Sequence, residues 1–226
     1  MAYIFFSFLI FYNNLINLLP AEFHAKIYVV VNLAILIILF FIAKKFLNLN
    51  LNELGYETKY IGSGIATGLI ATLVIIGIFI LLLLLLPKTG IKIKPPVIEL
   101  GSLTELLYRV LIRIPAGTAF FEENLFRGIC YGYLIKRFTP KKTIFFTSLL
   151  FGIWHIVPAL KVVTANFQMG LNLYGILFWC AGILGAFFAG VFFALMRYYS
   201  KNIVGCILSH SLINDLSLFI IYYLWK

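Results

Sequence analysis

Residues 61–86 run for 26 positions without a charged side chain, end in six consecutive leucines, Leu81–Leu86, and stop at Pro87. A helix of about 20 apolar residues crosses the hydrocarbon core of a bilayer. Only helices and closed barrels satisfy their own backbone there. Six further stretches read the same way, at approximately 3–19, 27–43, 113–136, 143–161, 172–198 and 203–224. The pattern predicts an all-α polytopic membrane protein, a bundle of about seven transmembrane helices around an interior polar cavity. Composition agrees: 63% of residues are hydrophobic and 12% charged, against about half and a quarter in soluble domains. The 226 residues form one expected integral membrane domain, 1–226, without a separate soluble module.

The net charge of +10 does not point to nucleic acid. In a membrane protein it reflects lysine-rich cytoplasmic loops beside anionic lipid. Lys44, Lys45 and Lys59, then Lys136, Arg137, Lys141 and Lys142, then Arg197 and Lys201 mark alternate loops. By the positive-inside rule the N-terminus is cytoplasmic and the C-terminus external, in a cell membrane. The loop 87–112 resists, since it carries Lys88, Lys92, Lys94 and Arg109 on the outer side; it is expected to lie as a cap on the surface. The opening MAYIFFSFLIFY lacks a basic n-region, so it reads as a first span and not a cleaved signal. Alternating Asn and Leu in FLNLNLNELGYETK (46–59) suits a short strand or an interfacial piece. Cys130, Cys180 and Cys206 are odd in number and lie in apolar segments, as inert core thiols would.

Ionisable side chains at membrane depth are rare and default to function. Within the spans the chemically capable set is Glu122, Glu123, Arg127, His155, His210 and Asp215, with the amide of Asn214 beside them. They come from spans four, five and seven, so they meet only if those helices pack together. Glu123 and Arg127 stand at i and i+4 and can pair. Glu122 is turned about 100° away, which leaves one carboxylate free of the arginine. His210 and Asn214 also share a face, and Phe151 lies one turn before His155. Asp215 is rotated off the Asn214 face and is left aside. Each group has a plainer reading: a register-fixing ion pair, a hydrogen-bonded core histidine, interhelical polar contacts. Their concentration in three otherwise clean spans favours chemistry.

Peptide-bond hydrolysis within a membrane can be tested by elimination. An aspartyl dyad is impossible with Asp215 as the sole aspartate. Ser63 of IGSG has no marked base, and H-E-x-x-H is absent. A zinc site from His155, His210 and Glu122 stays open. So does a metal-free route in which Glu122 deprotonates a water also held by His155. His210 and Asn214 would then stabilise the oxyanion, a role worth about 3 kcal/mol per donor. No cofactor is needed for that route.

The three groupings, E-E-x-x-x-R in EENLFR, F-x-x-x-H in FGIWH and H-x-x-x-N in HSLIN, occur in that order over roughly 104–224. They resemble the motifs of the CAAX prenyl endopeptidase family, which includes the Ras-converting enzyme. The resemblance implies an intramembrane, metal-independent glutamate endopeptidase without cofactors. Glu122 and His155 would activate water, His210 and Asn214 would form the oxyanion site, and Glu123, Arg127 and Phe151 would support the pocket. The implied partner is a membrane-tethered or prenylated peptide or protein, cut near its C-terminus. Members with eight spans carry a helix after the third motif, and this chain reaches Lys226 with seven. A non-proteolytic binding or bacteriocin self-immunity protein is the alternative within the family; retention of all four chemical groups speaks for the enzyme. A proton-coupled transporter would want an inverted repeat, and none is visible.

Overall fold

The computed structural model describes residues 2–85 and 102–224, and these residues are helical with no strand among them. In chain order the helices are α1 (Ala2–Ile16), α2 (Ala21–Phe46) and α3 (Ile61–Leu85), then a long helical run, 103–135, here called α4. They continue with α5 (Pro140–Trp154), α6 (Ile156–Lys161), α7 (Leu173–Ser200) and α8 (Val204–Leu224). Each expected span falls on one of these, except the fifth, which α5 and α6 share. Four of them, α2, α3, α7 and α8, are individually long and apolar enough to cross a membrane, and α5 with α6 qualifies as one bent pair. The count of seven is not reached on that measure. With 15 residues, α1 spans roughly 22 Å, short of a hydrocarbon core of about 30 Å. The other shortfall is α4, whose interior is charged and buried. It is the central helix, with every residue from Phe121 to Gly132 buried.

Ser102 caps α4, its hydroxyl accepting from the Glu105 backbone N–H, and the fourth span therefore starts earlier than residue 113. Ordinary α turns alternate in it with wider π turns, at Arg109–Phe120 and Asn124–Cys130. Pro115 lies in the first of these and has no N–H for the helical ladder. The Asn124 side chain donates to the Phe120 carbonyl. Such π turns are frequent at functional sites. Here they flank Phe121–Glu123 on both sides.

Residues 46–59 form no strand but a folded turn. Asn50 and Glu53 exchange side-chain-to-backbone hydrogen bonds at 2.8 and 3.0 Å. Lys136 donates to the Asn48 carbonyl and to Glu53. Leu47, Leu49 and Leu54 go inward to the cluster that holds Leu125, Phe126 and Ile129 of α4, whereas Leu51 of the alternating run is exposed. The period-two pattern is thus met by a turn tied to the end of α4. Of the predicted surface cap at 87–112, residues 87–101 lie outside the described residues.

Two close crossings place the remaining helices. On α3, Gly64 and Gly68 face Gly205 of α8, and a Cβ at Gly68 would lie 2.6 Å from the Gly205 carbonyl oxygen. Small residues allow such backbone approach in membranes. On α7, Gly190 packs against Ser148 of α5 in the same manner. The predicted fifth span, 143–161, is not straight: α5 and α6 meet at an angle of 46°, with His155 at the junction (φ −98°, ψ 11°). Pro158 accounts for the break, since it cannot donate to the Trp154 carbonyl and its ring clashes there.

Candidate active site

The two neighbouring carboxylates of α4 point to different helices. Glu123 pairs with Arg127 at 3.1 Å, and both side chains are essentially inaccessible, at 0% and 1%. The same oxygen, Oε1, lies 2.7 Å from Nδ1 of His210 on α8. A carboxylate neutralising an arginine can only accept, so the imidazole donates from Nδ1. Arg127 also donates to the Gly190 carbonyl and stacks 4.3 Å over the Phe151 ring. Phe193 lies parallel to the His210 ring, centroids 5.1 Å apart. Glu123 and Arg127 thus join α4 to α7 and α8.

Glu122 faces α5 instead. Its Oε1 accepts from the Trp154 indole Nε1–H at 3.0 Å. Its Oε2 is buried without a protein partner and lies 4.0 Å from Nε2 of His155. The other nitrogen of that ring, Nδ1, is 2.7 Å from the Phe151 carbonyl. A carbonyl accepts only, so Nδ1 carries the proton and, in the neutral ring, Nε2 presents a lone pair. Oε2 and Nε2 are therefore two acceptors too far apart to bond directly. One water, with hydrogen bonds of about 2.7 Å, bridges such a gap and gives a hydrogen to each.

These groups open into one cavity of about 570 Å³. Glu122, His155, His210 and Asn214 all line it, as do Thr118, Phe151, Ile75 of α3, and Gly185, Ala186 and Ala189 of α7. The four predicted chemical residues from three helices thus share one hollow, with Phe151 in its wall and Glu123 and Arg127 behind it. The four acceptor or donor tips stand in an apolar surround where dipoles act with little screening. Asp215 lies elsewhere: it accepts from Ser211 at 3.0 Å and is not in the cavity wall. Among the described residues, no three His, Cys, Asp or Glu side chains are placed to hold a metal ion.

Two polar side chains at the site, Thr118 in the cavity wall and Trp154 buried behind it, have no counterpart among the predicted residues. Thr118 and Trp154 carry no charge, so the search for ionisable groups at membrane depth passes over them. For Trp154 a signal exists, because a buried indole seeks an acceptor for its N–H and this one sits inside FGIWH.

A family model described as type II CAAX prenyl endopeptidase Rce1-like matches residues 104–216, which contain all three groupings. No curated protein and no solved structure matches the chain.

Proposed function

Because the chain belongs to the Rce1-like family of type II CAAX prenyl endopeptidases, we propose that it is a multi-pass intramembrane endopeptidase in which Glu122 acts as the base toward water. The observation that carries the reading is the unpartnered, buried Glu122 Oε2 at 4.0 Å from the His155 lone pair. A water between them gives one proton to Glu122 as its oxygen bonds to the scissile carbonyl carbon. The carbonyl oxygen takes up negative charge. Asn214 offers it an amide N–H. His210 can offer Nε2–H only as the imidazolium, because Nδ1–H is committed to Glu123. As the tetrahedral intermediate collapses, the C–N bond breaks and the proton held by Glu122 passes to the leaving amine. The bound water, two stabilising donors and the shuttled proton close the cycle without a metal or a cofactor.

The substrate is a membrane-tethered peptide, prenylated as the family implies, cut near its C-terminus. The protein sits in the cell membrane with its N-terminus in the cytoplasm, as the lysine-rich loops suggest. A farnesylated fluorogenic peptide in detergent, with products identified by mass spectrometry, tests the activity. Glu122→Gln is expected to lower cleavage by about 10²- to 10⁴-fold, the size of general-base effects, while leaving folding and extraction unchanged. Substantial residual turnover in that variant removes Glu122 from the role. Treatment with phenanthroline is expected to leave the rate unchanged; inhibition, together with stoichiometric zinc in the purified protein, overturns the metal-free mechanism.

A further inference from the structure

The break between α5 and α6 is held from outside the matched segment, by two asparagines of α1. In a straight helix the N–H of residue 157 would donate to the carbonyl of 153, and that of 158 to the carbonyl of 154. Asn14 occupies the first of these positions twice over. Its Nδ2 donates to the Ile153 carbonyl at 3.0 Å and its Oδ1 accepts from the Val157 N–H at 2.8 Å. Asn13 occupies the second, its Nδ2 donating to the Trp154 carbonyl at 2.8 Å, the acceptor that Pro158 cannot serve. Asn17 fixes Asn13 in turn, by donating to its Oδ1 at 3.0 Å. Backbone groups freed at membrane depth must find partners inside the protein. The pair supplies them at the junction where His155 sits.

The consequence reaches the carboxylate through Trp154. Its carbonyl is held by Asn13, its indole is enclosed by Tyr12 of α1 together with Phe121 and Phe126, and its Nε1–H holds Glu122 Oε1. We infer that Asn13 and Asn14 of α1 are positioning residues for the Glu122 and His155 pair, acting through the Pro158 break and the Trp154 indole. The inference rests on the endopeptidase reading. It makes α1 part of the working site although α1 lies outside residues 104–216.

The test separates positioning from simple support. Asn13→Leu with Asn14→Leu is expected to lower kcat about 10- to 100-fold, the loss that goes with a misdirected hydrogen bond to a charged group, and to change KM less than about threefold. Trp154→Phe, which keeps an aromatic side chain of smaller volume and loses the N–H, is expected to do the same. Adding Pro158→Ala to the asparagine double variant gives the helix back its own N–H and allows it to straighten. Thermal stability is then expected to recover while kcat stays low. Recovery of both means that the asparagines only support the fold, and unchanged kcat in Trp154→Phe breaks the link to Glu122. A second measurement needs no substrate. In 15N-tryptophan-labelled protein, the Trp154 indole resonance, assigned by its loss in Trp154→Phe, is expected to shift in Glu122→Ala and in the asparagine double variant. No shift in either overturns the inference. Failure of the endopeptidase reading looks different: no cleavage by the unaltered protein, or cleavage by Glu122→Gln, with the indole resonance still responding as described.

Discussion

Glu122 and Glu123 are adjacent in sequence and both buried, but their surroundings divide the work. Glu123 spends its Oε1 on Arg127 and His210, whereas Glu122 keeps Oε2 toward the cavity. Taking two charges out of water is costly, and removing one of them is worse, because its partner is left buried alone. Arg127→Met is therefore expected to destabilise the protein by about 3–5 kcal/mol, read as a lower thermal midpoint in detergent. Glu123→Gln combined with Arg127→Met is expected to regain part of that loss, since no uncompensated charge remains. Turnover stays low in the pair, because His210 has lost the carboxylate that accepts from its Nδ1–H. Full activity in the pair would make Glu123 a purely structural residue.

At the level of elements, α8 brings His210 and Asn214 to the cavity only because it lies against α3 with backbone nearly touching backbone. Any Cβ at Gly68 meets the Gly205 carbonyl, an atom that cannot swing aside. Gly68→Leu is expected to cost about 1–3 kcal/mol or more by overpacking, and to lower kcat as α8 moves away from Glu122. Gly77→Leu, nine residues further along the same helix, is the control: nothing stands within 4 Å of its added Cβ, and it is expected to leave both quantities unchanged. Equal effects at the two positions would mean that apolar bulk anywhere on α3, and not the crossing, is what matters.

For the whole molecule, the turn between α2 and α3 acts as a tie. Glu53 accepts from Lys136 at the end of α4, its carbonyl accepts from Arg197 of α7, and the Gly55 carbonyl accepts from Ile203 ahead of α8. Gly55 itself has φ +95°, and a side chain there would strike Arg197. The Lys136 hydrogen bond, with the Asn50 backbone N–H, holds the Glu53 carboxyl below the usual carboxylate range. A carboxylate whose folded pKa is depressed stabilises the fold above its unfolded pKa, and that contribution disappears as pH falls through the folded one. The difference in thermal midpoint between the unaltered protein and Glu53→Gln is thus expected to be constant near neutral pH. It is expected to close as the medium is acidified through and below the ordinary carboxylate range. A gap that persists in acid would assign the tie to the neutral hydrogen bonds.

Hydropathy determined the helical membrane class and the approximate place of every helix, because the cost of an unsatisfied backbone in lipid leaves a chain of this composition few alternatives. It also marked Glu122, Glu123, Arg127, His155, His210 and Asn214, since charge and strong polarity at membrane depth are costly enough to stand out against leucine and phenylalanine. Spacing along one helix showed that Glu123 could reach Arg127 and that Glu122 could not share it as easily. Tertiary structure decided the rest. That Glu123 meets His210 and Glu122 meets Trp154 depends on how α8 and α5 lie against α4, and no periodicity within a single helix carries that information. The asparagines of α1 that fill the two missing hydrogen bonds at the Pro158 bend, and the ties that hold an alternating Asn and Leu stretch in a turn, are likewise long-range. The asparagines reach their partners across about 140 positions through neutral amides, and the turn is tied to α4 by Lys136 across 83 positions, so neither shows until the backbone has brought the partners together.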